Sequence, residues 1–195
     1  LIPVALDVTS VDSIQAAVAH VEEMFGRLDI LINNAGVTDK TDDDPTAVKM
    51  DIVRQTFNVN FFALVETTNY FMPLLKKASM PLGGRIVNVS SELGSIQHKS
   101  EADFWRVGYD CSKAAVNMYT VELANKLRAE KIPILANAAH PGWVQTDMGG
   151  PDAPLDLEDG VDTMIELALL PLGGEGEEGA PITGKLVHKG AFLSW

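Results

Sequence analysis

Tyr109 and Lys113 stand four residues apart in the run Tyr-Asp-Cys-Ser-Lys. On a helix that spacing puts both side chains on one face. There an ammonium can stabilise a phenolate and lower the tyrosine pKa from its ordinary value of about 10. A phenol tuned that way donates or accepts a proton near neutral pH. An ordinary amphipathic helix with a tyrosine on its buried edge would show the same spacing, so the surroundings must decide. Three other stretches could join this chemistry. Asn33-Asn34-Ala35-Gly36 follows an apolar run, and open α/β sheets bind ligands just past their strands' carboxyl ends; a plain turn would use the same residues. Ser90 and Ser91 close a second apolar run with two hydroxyls. Asn60 interrupts a largely apolar stretch, and a buried amide needs partners, as a structural hydrogen-bond knot or as a water-holding group.

The elements that must position these residues follow from composition and pattern. The 195 residues read as a single domain, 1–195, with room for a sizeable core. A net charge of −12 and no basic stripe argue against nucleic acid as a partner. The single cysteine excludes an intramolecular disulfide and fits a reducing compartment such as the cytoplasm. No apolar run is long enough to span a bilayer, so no membrane partner is expected. No His/Cys/Asp/Glu cluster has metal-ligand spacing, so no metal is expected.

Residues 2–7 read as a short buried strand ending at Asp7. Thr9-x-x-Asp12 reads as a capping box opening a helix that Gly26 ends. Leu28–Ile32 reads as a strand covered on both faces. The spacing predicts a long helix over about 51–78, apolar around much of its circumference. A strand runs from Arg85 to Ser91, a longer loop with Phe104 and Trp105 fills 92–108, and the helix of Tyr109 follows. Residues 132–139 form a further strand closed by Pro141-Gly142, residues 157–170 a helix, and the tail from Gly184 a last strand plus an extension. Strands alternating with helices predict a mostly parallel α/β sheet.

With the order of these pieces established, the chain resembles the short-chain dehydrogenase/reductase family over nearly its whole length. The resemblance rests on Asp7-Val8, Asn33-Asn34-Ala35-Gly36, Asn60, Ser91, Tyr109-x-x-x-Lys113 and Pro141-Gly142-Trp143-Val144-Gln145-Thr146, all in the family's order. The run from His140 to Gly150 further resembles the sniffer-like carbonyl reductases and C-factor proteins. The resemblance implies a Rossmann-like doubly wound parallel sheet and hydride exchange between NADP or NAD, NADP slightly ahead, and a small carbonyl or alcohol substrate. Tyr109 would be the general acid or base, Ser91 would hold the substrate oxygen, and Lys113 would lower the Tyr109 pKa and bind the nicotinamide ribose. Asn60 would hold a water linking Lys113 to solvent. Asp7 and Val8 would contact adenine, and Asn33, Ala35 and Gly36 would line the cofactor's backbone. Pro141, Gly142, Val144 and Thr146 would hold the nicotinamide end.

Several departures qualify that picture. Ser91 and Tyr109 are 18 positions apart, longer than the family's common connection; the extra loop borders the substrate entrance or forms a packed surface flap. Cys111, where small residues are usual, is expected to be a buried small hydrophobe. His140 reads as structural and His98 as a surface histidine. No glycine-rich turn stands between a first strand and first helix, where a dinucleotide's pyrophosphate would sit. Gly174-x-Gly176-x-x-Gly179 matches the motif literally, but it lies near the end and carries three glutamates, so it reads as a decoy. The chain is therefore expected to lack the family's first two strands, to be a truncated form, and to bind the dinucleotide poorly. A non-catalytic relative or partial gene product is the alternative reading; epimerase or dehydratase chemistry ranks below both. The apolar 51–78 helix and the helix from 109 could form a homo-oligomer's interface if the long loop leaves them open.

Overall fold

The computed structural model describes residues 1–41, 44–100, 102–173 and 181–195. Four strands run parallel and lie in sequence order: β1 (Ile30–Asn33), β2 (Gly84–Val89), β3 (Ile134–Ala139) and β4 (Leu186–His188). The expected extension of the tail is β5 (Ala191–Leu193), which turns back antiparallel on β4. The helices are α1 (Val11–Phe25), α2 (Met50–Phe57), α3 (Ala63–Leu75), α4 (Ile96–Lys99), α5 (Val107–Ala129) and α6 (Leu157–Ala168).

Successive residues of a strand point to opposite faces, and β2 shows what that does. Ile86 packs with Phe71, Leu74 and Leu75 of α3 and with Ala124 and Leu127 of α5. Its neighbour Val87 packs on the other face with Leu167 of α6 and Val187 of β4. Helices on both faces make the sheet doubly wound and Rossmann-like, as expected. Every residue of β2 and β3 is buried, Arg85, Asn88 and Asn137 included, as in strands covered on both faces. Arg85 is buried within β2, and its guanidinium donates to the carbonyls of Leu170, Leu82 and Gly84, which ties the end of the α6 segment to the strand.

Four expectations need correction. Residues 2–7 form no strand. A strand exists through a ladder partner, and among the described residues β1 pairs with β2 alone. Ile2, Val4 and Leu6 accordingly stay exposed. The cap of α1 is Ser10, whose hydroxyl accepts the Ser13 N–H, while Thr9 donates to Asp7 instead. The strand expected to be covered on both faces alternates: Ile30 and Ile32 of β1 are exposed. Cys111 lies on the exposed side of α5. Gly26 closes α1 in the left-handed conformation, its N–H reaching Glu22 O as expected.

The helix predicted over 51–78 runs from Met50 to Leu75 and is not uniform. Asn58–Phe62 is one π-helical turn between α2 and α3. Such turns recur at functional sites, and this one carries Asn60 to the carboxyl end of the sheet. The glycine motif at 174–179 lies outside the described residues.

Candidate active site

The site begins with polar residues inside the sheet. Asn33 Nδ2 donates to Thr68 Oγ1 at 2.9 Å and to Asn88 Oδ1 at 2.9 Å, and Asn88 Nδ2 donates to Thr120 Oγ1 at 2.9 Å. All four residues are buried. The chain of bonds joins α3, β1, β2 and α5 at one level, and a satisfied buried network holds a unique arrangement. It fixes where Asn34–Gly36 leave β1 and where Ser90 and Ser91 leave β2. Asn33 itself faces this ladder.

Ser91 caps a short 3-10 turn, Glu92–Gly94, its hydroxyl accepting the Leu93 N–H at 3.1 Å. The turn lies directly on α5. A Cβ on Gly94 would meet the Lys113 carbonyl carbon at 2.6 Å and Ala114 N at 2.8 Å, so only glycine permits the contact. This approach brings Ser91 near enough to Tyr109 that its hydroxyl acts to lower the phenol's pKa. Ser90 is turned away, bonded to Asn117 Oδ1 at 2.5 Å and to Lys113 O at 3.3 Å.

Lys113 is buried, and its ammonium donates to Val89 O at 2.7 Å, 5.6 Å from the centroid of the Tyr109 ring. Asn60 is completely buried. Its Oδ1 accepts the Val37 N–H at 2.8 Å, and its Nδ2 donates to Val37 O at 2.9 Å and to Ser112 Oγ at 3.0 Å. The amide therefore braces the chain just past Gly36, with Ser112 in turn donating to Tyr109 O at 2.7 Å. A Cβ on Gly36 would sit 3.5 Å from Asn60 Oδ1 and 3.7 Å from Lys113 Nζ. Without that Cβ, a small space remains against the ammonium and the amide.

The electrostatics differ from the sequence expectation. Burial holds the Tyr109 phenol above its ordinary value, and the nearby Asp110 charge pushes the same way; the Ser91 hydroxyl and Arg106 oppose them. Lys113, tied to Val89, is itself lowered to about 8 by burial. A phenol so placed keeps its proton through neutral pH and is an acid before it is a base.

Ser91, Tyr109, Lys113, Asn60 and Gly36 thus come together. Pro141 to Thr146 leave β3 next to them, because Val89 and Ala139 are register partners. Val144 bridges to Leu155, and Thr146 Oγ1 accepts the Gly149 N–H at 3.0 Å. Asp7 and Val8, expected at the adenine end, precede α1. The Asp7 carboxylate is exposed and takes both the N–H and the hydroxyl of Thr9, at 2.9 Å and 2.7 Å, which hold it below the usual carboxylate range. The residues present suit the nicotinamide and ribose end of a dinucleotide: the space left at Gly36 faces a buried lysine. Among the described residues, no glycine-rich turn leads from a strand into a helix for the pyrophosphate.

Sequence reasoning missed the Asn33–Asn88 ladder and a polar group behind Ser91. Glu92 Oε1 lies 3.4 Å from Nε2 of the buried His140, whose ring stands 4.8 Å from that of His188. Burial lowers His140 to about 4, against the pull of Glu92. The one available signal was Asn88, an amide inside an apolar strand. Among the described residues no group of three or more His, Cys, Asp or Glu could hold a metal, and no helix is long and apolar enough to cross a membrane.

A doubly wound sheet with a serine, tyrosine and lysine at its carboxyl edge defines a class, and the comparisons identify it. The family model for short chain dehydrogenases matches residues 1–154, and the chain belongs to that family. It is 37% identical over 196 residues to the short-chain dehydrogenase anuI of Penicillium roqueforti, covering 96% of this chain and 73% of that protein. It is 31% identical over 222 residues to carbonyl reductase (NADPH) 1 of Mus musculus, covering 94% and 77%. The structure of NADPH-bound carbonyl reductase from chicken fatty liver superposes with a TM-score of 0.84 at 31% identity, covering all of this chain and 77% of that one. Carbonyl reductase Sniffer of D. melanogaster gives 0.82 at 32%, covering 97% and 76%.

Proposed function

We propose that the chain is an NADP(H)-dependent oxidoreductase that reduces a small carbonyl compound, with Tyr109 as the proton donor. The observation that carries this reading is Tyr109 and the buried Lys113 one turn apart on α5, with the 3-10 turn that Ser91 caps packed directly on that helix. A carbonyl oxygen placed between the two hydroxyls receives both. Ser91 orients it and stabilises the charge that develops there. Tyr109 passes its proton to the same oxygen.

Lys113, Pro141, Gly142, Val144 and Thr146 would hold the nicotinamide end, with Ala35 and Gly36 keeping the floor low. NADPH, when bound, supplies the hydride. Asn60 would hold a water that links Lys113 to solvent, through which the tyrosine is reprotonated. NADPH titration followed by carbonyl-dependent NADPH oxidation over a panel of ketones, aldehydes and quinones tests the reading. NADPH bound without turnover on any of them would contradict it.

A further inference from the structure

The ladder between β2 and β3 ends where the Ser90 N–H donates to Ala139 O at 2.8 Å. Past that bond the two chains run into different walls of the site, Ser91 on one and Pro141 to Thr146 on the other. A pair of side chains spans the two. Glu92 follows Ser91 directly, His140 precedes Pro141 directly, and Glu92 Oε1 stands 3.4 Å from His140 Nε2. His140 is a fixed post. Its N–H donates to Val187 O at 2.8 Å, and its O accepts from His188 Nδ1 at 2.9 Å, so β4 holds both of its backbone groups. The His188 ring also backs the Pro141–Gly142 bend: a Cβ on Gly142 would meet His188 Cε1 at 3.2 Å. His140 Nδ1 is buried and makes no hydrogen bond, so a proton there would be an unsatisfied donor. The neutral ring therefore carries its proton on Nε2, facing the carboxylate. His98 Nε2 lies 3.9 Å from the other oxygen of Glu92, but that side chain is 48% exposed and contributes little.

We propose that Glu92 and His140 are positioning residues, a strut that sets the spacing between Ser91 and the Pro141–Gly142 bend, and with it the spacing between the substrate oxygen and the nicotinamide. The second half rests on the oxidoreductase reading; the strut does not. A neutral ring needs only an acceptor opposite its Nε2–H, so Glu92→Gln keeps the strut. Glu92→Leu removes it, and so does His140→Phe, which leaves a ring against His188. Reacting groups tolerate little misplacement, so a looser spacing should appear in the chemical step and not in binding.

Two measurements on the full chain separate the outcomes. The first is amide hydrogen exchange without cofactor. Leu93, Gly94 and Ser95, whose N–H groups are bonded within the turn, should exchange about tenfold faster in Glu92→Leu and His140→Phe than in the wild type or Glu92→Gln. The amides of β2 and β3 should be unchanged and so serve as the control for folding; if His140→Phe fails that control, the half-exposed Glu92→Leu carries the test. The second is steady-state carbonyl reduction. In the same two variants kcat should fall about tenfold, with KM for NADPH and for the carbonyl compound held within about twofold, and Glu92→Gln should recover the loss. The double variant should be no slower than the slower single one, because one contact is lost in all three. Unchanged exchange at the three turn amides overturns the strut, whatever the activity. Faster exchange with kcat unchanged, or with losses that multiply in the double variant, overturns its role in the chemical step. Faster exchange with no NADPH-dependent turnover by any variant, wild type included, upholds the strut and fails the oxidoreductase reading instead.

Discussion

β1 and β2 are neighbours in register, and the solvent treats them differently. Ile32 pairs with Val87; the first is 41% exposed and the second 1%. Both strands carry an asparagine near their carboxyl ends, and the two amides are bonded to each other. From there the strands diverge in what they carry. β2 leads into Ser91, and the helix behind it supplies Tyr109 and Lys113, all buried or half-buried and mutually braced. β1 leads into Asn34–Gly36, a loop steadied from outside by Asn60. Proton-transfer geometry is thus concentrated on the doubly covered side of the sheet, while the open side supplies room. Substitutions should fall unequally on the two.

The largest difference should appear at Lys113. Lys113→Met should cost roughly 10²–10³ in kcat for carbonyl reduction. Stability should move the other way. Burial lowers Lys113 to about 8 against an ordinary 10.5, so the unfolded chain binds that proton more tightly than the native one. The charge therefore opposes folding below pH 8, and stability rises as pH climbs from 8 to 10.5. Urea unfolding at pH 7 should show Lys113→Met more stable by about 1–3 kcal/mol. No comparable trade exists along β1.

His140 should give the next effect. It sits at about 4 instead of 6.5, with Glu92, His98 and His188 the charged or titratable groups acting on it. Below pH 6.5 the unfolded chain takes up the proton first, so stability falls between pH 6.5 and 4, by roughly 2–3 kcal/mol. Thermal midpoints across that window should flatten in His140→Phe. Equal slopes in variant and wild type would place the acid sensitivity elsewhere.

The register pair supplies the smallest and most direct contrast. Val87→Thr buries a hydroxyl with no partner and should cost about 1–3 kcal/mol. Ile32→Thr, on the adjacent strand, should stay within about 0.5 kcal/mol. Similar losses at both would mean that β1 is covered as fully as β2.

Much of this contrast is legible in the order of the residues. Local pattern locates β2, β3 and α5, because a buried strand or an amphipathic helix is written in consecutive residues. The spacing of Tyr109 and Lys113 puts them on one helix for the same reason. Local pattern fails where structure depends on what lies alongside. Residues 2–7 carry a strand's composition but have no ladder beside them. Ile30 and Ile32 look like core, yet lie on an open edge. The bonds that complete the site join residues far apart in sequence: Asn33 with Asn88, Asn60 with Val37, Glu92 with His140. The spacing predicts a lowered Tyr109 pKa, and the structure raises it, because four-residue spacing reports neither depth of burial nor that the ammonium is held by Val89.

The central claim is that the Tyr109 phenol delivers the proton. The measurement that tests it most directly is the single-turnover rate of carbonyl reduction at saturating NADPH, for the wild type and Tyr109→Phe, at neutral pH. A loss of about 10²–10⁴ in that rate, with NADPH affinity unchanged, is the predicted result. A Tyr109→Phe rate within about tenfold of the wild type would contradict the claim and leave the Ser91 hydroxyl as the group that matters.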